Sequence, residues 1–465
     1  MLEIFSSINK QINGILWGPI MQAIFLAIGL YFSIICGWIP VAKWKVWLKY
    51  TLLSCFSKQE EENEEHSISQ LQSICTTLAA TIGTGNIVGV ATAITFGGPG
   101  AIFWMWLSSI LGMMTTYGEN LLGIKYRYKD KDGKWVGGPM AYMERGLHKK
   151  WMAVLFAICC VFSSLGMGNM AQANSVAGAI SNTFYISPKT VGIVLSGIVG
   201  LVMIGGIKRI GKVAETVVPL MAGIFLIGSA IVLIRKIQYI PDALYDIVVM
   251  AMNPKAGISG ILSYTIMVSM RLGIARGIFT NEAGLGSSVV INSNSSVKEP
   301  VIQGMWGIFA VFADTIVMCT ITALVILVSG VYDVDIYNAA LNTPIFELLP
   351  NGVVLTATAF SSVLGSYGQY FVTISMIFFG FATLLAWAYC GEQCMKYVFG
   401  KKAIPLYQFT FLICIFAGCI LQLDVVWQLC DTFNGVMAIP NLIAIVLLGK
   451  EVKEETKKFF QKKNI

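Results

Sequence analysis

Apolar residues in this chain come in long runs rather than at an alternating spacing. Along its 465 residues, eleven segments of predominantly apolar composition are separated by polar or charged stretches. They cover approximately residues 17–38, 71–96, 100–123, 152–184, 189–206, 214–234, 262–290, 303–330, 366–395, 404–423 and 426–449. At about 1.5 Å per residue, a helix of about twenty apolar residues spans the hydrocarbon core of a bilayer. The pattern therefore predicts an all-α polytopic membrane protein with about 11 transmembrane helices. The fourth, seventh and ninth runs are longer than a membrane needs, which predicts tilt or a helical extension.

Two of the runs are interrupted by glycine-rich segments: Thr81, Ile82, Gly83, Thr84, Gly85 and Asn86 in the second, and residues 277–286 (GIFTNEAGLG) in the seventh. Backbone that leaves helical geometry at membrane depth survives only where it is buried in protein or lines a cavity. Paired breaks at corresponding places in two halves of a chain point to the substrate and ion site of a secondary transporter. With the first run set aside, the breaks fall in the first and sixth of the remaining ten. Runs two to six and seven to eleven then form two five-helix repeats of inverted topology, an inference from the positions of the breaks and not from sequence identity between the halves. The expected organisation is one transporter domain over 1–465. It comprises a peripheral N-terminal helix at 17–38, a first repeat at 71–234, an inverted second repeat at 262–449 and a cytoplasmic tail at 450–465.

Composition agrees with the pattern. The chain is 56% hydrophobic and 12% charged with mean hydropathy +0.72, whereas a soluble protein carries about 25% charged residues. The first five residues lack the basic region of a cleavable signal peptide, so the first span is expected to be retained. Orientation follows from lysine and arginine in the loops. The 124–150 loop holds eight (Lys125, Arg127, Lys129, Lys131, Lys134, Arg145, Lys149 and Lys150). The 39–70 loop has four (Lys43, Lys45, Lys49 and Lys58), the 207–213 loop three and the tail after 449 six. The 331–365 loop has none and carries Asp333, Asp335 and Glu347. Placing the basic loops inside puts the N-terminus outside and the C-terminus in the cytoplasm, as an odd number of spans requires. Arg235, Lys236 and Lys255 run against that rule in the 235–261 loop. The net charge of +7 reflects these cytoplasmic lysines and calls for no nucleic-acid partner.

Several function classes are excluded. Both histidines, His66 and His148, lie in charged loops, which removes haem ligation, a membrane zinc site and a histidine proton relay. The eleven cysteines are scattered; Cys159 with Cys160, and Cys390 with Cys394, have neither zinc-site nor redox spacing, and read as small apolar residues within helices. There is no nucleophile–base pair, metal-ligand cluster or phosphate loop, so the chain is not expected to be an enzyme. A channel would need a ring of filter residues, which two breaks in one chain do not suggest.

At the first break, Gly83, Gly85 and Gly89 are spaced GxGxxxG within an apolar run, which is not the GxGxxG of a strand-to-helix nucleotide site. Small residues also allow close helix packing, but Thr84 and Asn86 would be poor choices facing lipid. Unwound backbone exposes N–H groups suited to a carboxylate and carbonyls suited to Na⁺. At the second break Glu282, with Arg271 and Arg276 before it, reads most simply as a structural Arg–Glu network near a cytoplasmic gate. Thr280 and the local backbone are the better ligand candidates, with Phe279 placed to close over a ligand. In the fourth span Gln172 and Asn174 are strong donors and acceptors. Two residues apart they point roughly 200° around a helix, so both reach one ligand only if the helix is irregular there. Interhelical hydrogen bonding is their plainer role. Thr383 and Trp387, four apart, share one helix face; packing is an equal reading for Trp387. Asp314 suits a structural salt bridge, and Glu119, Glu215, Glu392 and Asp431, near span ends, are expected to be interfacial.

The motifs at residues 81–94 (TIGTGNIVGVATAI), 137–143 (GGPMAYM), 168–175 (GNMAQANS) and 277–287 (GIFTNEAGLGS), with Asp314, Thr315 and residues 319–323 (CTITA), closely resemble the alanine or glycine:cation symporter family. The resemblance runs from about residue 15 to 450. It implies a LeuT-like fold of the amino-acid/polyamine/organocation group, with broken first helices in inverted five-helix repeats. It also implies Na⁺-coupled uptake of small neutral amino acids, alanine and/or glycine, across the cytoplasmic membrane, with H⁺ coupling through Asp314 or Glu282 as the alternative. The family's substrate pattern falls on Gly83, Thr84, Gly85, Gln172, Asn174, Phe279, Thr383 and Trp387, with Asn86 and Thr280 beside it. The cation is expected at Thr81, Ile82 and Thr383, partly through backbone carbonyls. The implied partners are a small zwitterionic amino acid, Na⁺ and the lipid bilayer, with no organic cofactor. The acidic stretch Glu60–Glu65 matches no motif of the family.

Overall fold

The computed structural model describes residues 9, 11–56, 68–130, 133, 135–252, 266–340, 343, 345, 348–421 and 424–463. The acidic stretch Glu60–Glu65, with Lys58, His66, Lys131, Lys134, Lys255 and Glu347, lies outside the described residues. The chain is helical almost throughout. In order, its main helices are α1 (Pro19–Cys36), α2 (Gln70–Thr81), α3 (Val90–Gly97), α4 (Gly100–Tyr126), α5 (Lys150–Leu165), α6 (Ala171–Phe184), α7 (Pro188–Met203), α8 (Gly206–Arg235) and α9 (Ile240–Met252). They continue as α10 (Ile266–Asn281), α11 (Ser287–Asn292), α12 (Pro300–Val311), α13 (Thr320–Val328), α14 (Gly352–Leu364), α15 (Tyr367–Phe399), α16 (Ile404–Ile420), α17 (Asp424–Leu447) and α18 (Gly449–Lys463).

Helix lies over each of the eleven apolar runs. Among the described residues, six helices are long and apolar enough to cross a membrane alone, and up to eight if each of two bent pairs is one span. The first bent pair is Gln70–Thr81 with Gly85–Gly97, at 45°. The second joins residues 431–447 of α17 to α18 at 56°. Among the helices that lie where loops were expected are α9 within 235–261 and α14 within 331–365. The 124–150 segment holds a two-stranded antiparallel ribbon, β1 (Tyr128–Lys129) against β2 (Trp135–Val136).

Local sequence explains the main boundaries. A capping box starts α2, with the Ser69 hydroxyl accepting the Gln72 N–H at 3.1 Å and the Gln72 amide oxygen accepting the Ser69 N–H at 3.4 Å. Pro188 and Pro300 begin α7 and α12, where a missing N–H leaves no intrahelical bond unmade. Phe225, Phe360, Phe371 and Phe379 pack with ring centroids 4.8–6.2 Å apart, mostly at tilted angles, and join α8, α14 and α15. Large apolar side chains such as Ile193, Leu201, Ile227, Ile234, Leu406 and Phe409 are exposed on α7, α8 and α16, as lipid-facing surfaces require.

One end of the molecule is held together by polar contacts. The Ile68 N–H donates to Asn294 O at 3.1 Å and the Ser296 N–H donates to Ile68 O at 3.0 Å, tying the start of α2 to the chain after α11. Arg127 donates to the carbonyls of Ser293 and Val297 at 3.1 and 2.7 Å, and also to that of Ser295. Lys396 at the end of α15 pairs with Asp130 at 2.8 Å. Lys125, at the end of α4, pairs with Glu451 at 2.8 Å and Glu455 at 3.2 Å of α18.

Burial raises the Glu451 carboxyl, and hydrogen bonds from Lys125 and Tyr126 more than offset it, leaving the group below its ordinary range. A carboxyl depressed in the folded state stabilises it above the unfolded-state value, and that contribution is lost as pH falls through the depressed range. Acidification through that range is therefore expected to loosen α18 before the rest of the molecule. Amide hydrogen exchange of residues 449–463, measured as a pH series, checks this: Glu451→Gln should show the loosened state at neutral pH.

Candidate functional site

The first break is built by glycines that permit close approach. Gly83, Gly85 and Gly89 are not among the residues with positive φ, so conformational freedom is not what they supply. A Cβ at Gly83 would lie 2.7 Å from Thr383 Oγ1, and one at Gly85 would lie 2.8 Å from Thr280 Cγ2 and 3.8 Å from Phe279 Cδ1. Only a residue without a side chain lets α15 and α10 come so near. Helix α2 ends at Thr81, with Ile82 at φ −75° and ψ 88°, so the last carbonyls lose their regular donors. A single π turn over Gly85–Gly89 then leads into α3.

Side chains take over those backbone groups. Asn86 Oδ1 accepts the Gly83 N–H at 2.9 Å. The Thr84 hydroxyl donates to Gln172 Oε1 at 2.7 Å, and the Thr84 N–H reaches the same oxygen at 3.4 Å. Thr383 Oγ1 lies 2.9 Å from the carbonyls of both Ala79 and Phe379, bridging the end of α2 to α15.

The second break is a true left-handed turn. Glu282 sits at φ 56°, Gly284 at 87° and Gly286 at 79°. For Glu282 this is strained backbone, and both ends of its carboxylate are held. Trp387 Nε1 donates to Oε1 at 3.0 Å, and the Ser287 hydroxyl donates to Oε2. The Gly284 N–H reaches Glu119 Oε2 at 3.4 Å, and Asn441 Nδ2 donates both to Gly284 O at 2.9 Å and to Glu119 Oε1.

A chain of hydrogen bonds joins the two breaks. From Gly83 it passes to Asn86, whose Nδ2 donates to Asp314 Oδ1 at 2.7 Å. The Thr315 hydroxyl donates to Asp314 Oδ2 at 2.8 Å, Asn281 Nδ2 donates to Thr315 Oγ1 at 3.1 Å, and Asn281 Oδ1 accepts the Ala283 N–H at 3.0 Å. Asp314 and Thr315 lie in a π-helical stretch, Phe312–Cys319, between α12 and α13. A further π turn, Gly166–Met170, precedes Gln172. Such bulges often mark functional positions because they re-aim side chains out of helical register.

The structure thus brings together Thr81, Ile82, Gly83, Thr84, Gly85, Asn86, Gln172, Phe279, Thr280, Thr383 and Trp387. Asn174 is not with them. Its Nδ2 donates to Gly418 O at 3.0 Å and Leu421 O at 3.3 Å at the end of α16. The helix is regular from 171 onward, so Asn174 points away from Gln172, as a separation of roughly 200° dictates. Three other expectations are corrected. Glu282 pairs with Trp387 and Ser287 instead of an arginine, while Arg276 lies over the Phe279 ring at 5.8 Å. Asp314 is held by Asn86 and Thr315, not by a salt bridge. Glu119 is fully buried at the second break, not interfacial.

Other polar groups at the site escaped the sequence reading. Asn292 Oδ1 accepts from the hydroxyls of Ser73 and Thr77 at 3.2 and 2.6 Å, and its Nδ2 donates to Asn120 Oδ1 at 2.8 Å. The pair Ser73 and Thr77 at i, i+4 beside a break was the available signal. Cys160 and Cys390, far apart in sequence, lie with their sulfurs 3.6 Å apart near Glu282.

A mostly helical bundle with two helices broken at one buried polar site is the architecture of a multi-pass membrane transporter. A solved structure with this fold is that of a histidine-to-alanine mutant of the Eremococcus coleocola manganese transporter, which aligns with TM-score 0.52 at 16% identity over 85% of this chain and 83% of that one. The sodium:alanine symporter family model matches residues 2–465, and the chain belongs to that family, whose members are transporters and not enzymes. It is 40% identical over 461 residues to the sodium/alanine symporter AgcS of Methanococcus maripaludis, covering 98% of this chain and 97% of the relative. It is also 36% identical over 464 residues to the probable sodium/glutamine symporter GlnT of Bacillus subtilis, covering 100% and 92%.

Trp387→Phe keeps most of the ring volume but removes the N–H that holds Glu282. The expected loss is about 1–3 kcal/mol of stability, the range for a buried group deprived of one partner. Thermal unfolding of the purified protein in detergent measures it, and an unchanged midpoint would show that the bond does not hold the turn.

Proposed function

We propose that this chain couples inward movement of Na⁺ to uptake of a small neutral amino acid, alanine and/or glycine, by alternating access. The observation that carries the reading is the meeting of both breaks with Gln172, Thr383 and Trp387 in one buried cluster. The substrate carboxylate takes the N–H groups of Gly83 to Gly85. The oxygens of Asn86 and Gln172 accept from two of those N–H groups, marking the acceptor positions that a carboxylate would take. The ammonium meets Gln172 and the carbonyls around Thr280. Phe279 and Trp387 limit side-chain size; Trp387 fills the space that a Cβ at Gly168 would need.

Na⁺ sits between the end of α2 and α15, held by carbonyls of Thr81 and Ile82 and by the Thr383 hydroxyl. A cation there bridges two helices that must separate for the site to open, so binding it favours closure. Each positive charge moved inward gains about 2.3 kcal/mol per 100 mV of membrane potential, equivalent to accumulation of roughly fiftyfold. In this proposal the helices form two inverted repeats of five in a LeuT-like arrangement, 71–234 and 262–449. A peripheral helix lies at 17–38, and the tail at 450–465 lies in the cytoplasm with the N-terminus outside.

Reconstituted into liposomes, the protein is expected to take up labelled alanine only when Na⁺ is present outside. Uptake that persists in choline and follows a pH gradient would replace Na⁺ by H⁺ and turn attention to the buried Asp314 and Glu282. A panel of alanine, glycine and glutamine separates the substrates named for the relatives. Trp387→Ala is expected to admit glutamine or other bulkier amino acids, and unchanged competition by such a panel would remove Trp387 as the size limit.

A further inference from the structure

Phe279 is also part of the lining of a cavity of about 360 Å³. Trp17, Arg271, Arg276, Phe279 and Asp431 are among the residues lining it. Part of its lining comes from α10, which precedes the second break, whereas the carbonyls held by Arg127 follow that break. Its charges are divided. Two guanidiniums come from α10, and one carboxylate comes from α17. Arg271 is exposed, and Arg276 and Asp431 are half-buried. Arg276 and Asp431 are close enough to act on each other electrostatically, and the Arg276 guanidinium also lies over the face of Phe279. Trp17 Nε1 donates to Asp431 O at 2.9 Å, which fixes the α17 side of the cavity against the N-terminal segment.

Two arginines with a single aspartate leave an excess of positive charge in the cavity, which within a membrane protein is costly unless the cavity is wet. A guanidinium presents a fork of donors that matches a carboxylate, and an aspartate accepts from an ammonium. A cavity lined by both suits a molecule that carries both charges a few ångströms apart. A net anion would meet Asp431, and a net cation would meet two arginines. Phe279 lines the cavity, and its ring is also the neighbour of Gly85 at the first break, so the same side chain borders both the cavity and the central site.

We propose that this cavity is a capture subsite for the amino-acid zwitterion, in series with the central site. There the carboxylate is held by Arg276 and Arg271 and the ammonium by Asp431, before the substrate passes Phe279. The proposal rests on the reading of the glycine break as the central substrate site. A subsite in series raises the rate of arrival without changing the later steps, so losing it lowers kcat/KM and leaves kcat alone.

The test uses the full chain in two measurements. In proteoliposomes, Arg276→Gln and Asp431→Asn are each expected to raise KM for alanine roughly three- to fivefold, the scale of partly exposed charge contacts, with the maximal rate unchanged. An unchanged KM, or a fall in maximal rate alone, overturns the subsite. Restoration of wild-type kinetics by the double exchange Arg276→Asp with Asp431→Arg overturns it in favour of a simple ion-pair gate. In detergent, labelled alanine is bound to Gly85→Leu, whose side chain blocks the central site. Weak binding should remain and should vanish when Arg276→Gln is added. Binding by wild type that is lost entirely in Gly85→Leu overturns the capture subsite alone. Failure of wild type to bind alanine, glycine or glutamine overturns both the subsite and the central-site reading.

Discussion

Everything at the centre of this protein follows from one requirement: backbone groups freed at membrane depth must find partners inside the protein. Two helices stop in mid-span, at Thr81 and at Asn281. Their loose ends are joined by the relay from the Gly83 N–H through Asn86, Asp314, Thr315 and Asn281 to the Ala283 N–H. Because Asn86, Thr315 and Asn281 each use both a donor and an acceptor, and both oxygens of Asp314 accept, none can move without unmaking a bond in a medium of low dielectric. The two breaks therefore behave as one unit.

Helix α15 is the second element that reads both breaks at once. Thr383 and Trp387, one turn apart on the same face, touch the end of α2 and the strained carboxylate of Glu282 respectively. A ligand wedged at either break must act on α15, and a shift of α15 must act on both. In the proposed mechanism an ion at the Thr383 contact and a substrate at the Trp387 contact would change the same interface, which is the coupling a symporter needs. The contacts at the opposite end of the molecule, where Arg127 holds carbonyls after α11 and Ile68 bridges to Asn294 and Ser296, close one side of the same unit.

Much of this was legible in the sequence. The apolar runs located the helices, because a bilayer imposes a length and a composition that few other environments do. The glycines located the breaks, although for different reasons at the two places. At Gly284 and Gly286 the backbone is left-handed. At Gly83 and Gly85 it is the neighbour's proximity that forbids a side chain. Helical geometry alone warned that Gln172 and Asn174 could not serve one ligand unless the helix were distorted between them, and Asn174 indeed turns to α16. The expected Arg–Glu network and the interfacial Glu119 failed for a common reason. Sequence proximity and distance from a span end say nothing about which helix packs opposite, and Trp387, which holds Glu282, and Asn441, which holds Glu119, lie on elements remote in sequence.

The sequence by itself determined the environment, the number of apolar segments, the positions of the two interruptions and, through its motifs, the family. Those are properties of local composition and spacing. Only the tertiary structure decided that Thr383 faces the first break while Trp387 faces the second, that Asp314 links them, and that Arg276 and Asp431 share a cavity. Each of these depends on the rotation of one helix about its axis relative to another. A run that is apolar almost all round carries little record of that rotation, because lipid and protein interior select the same side chains.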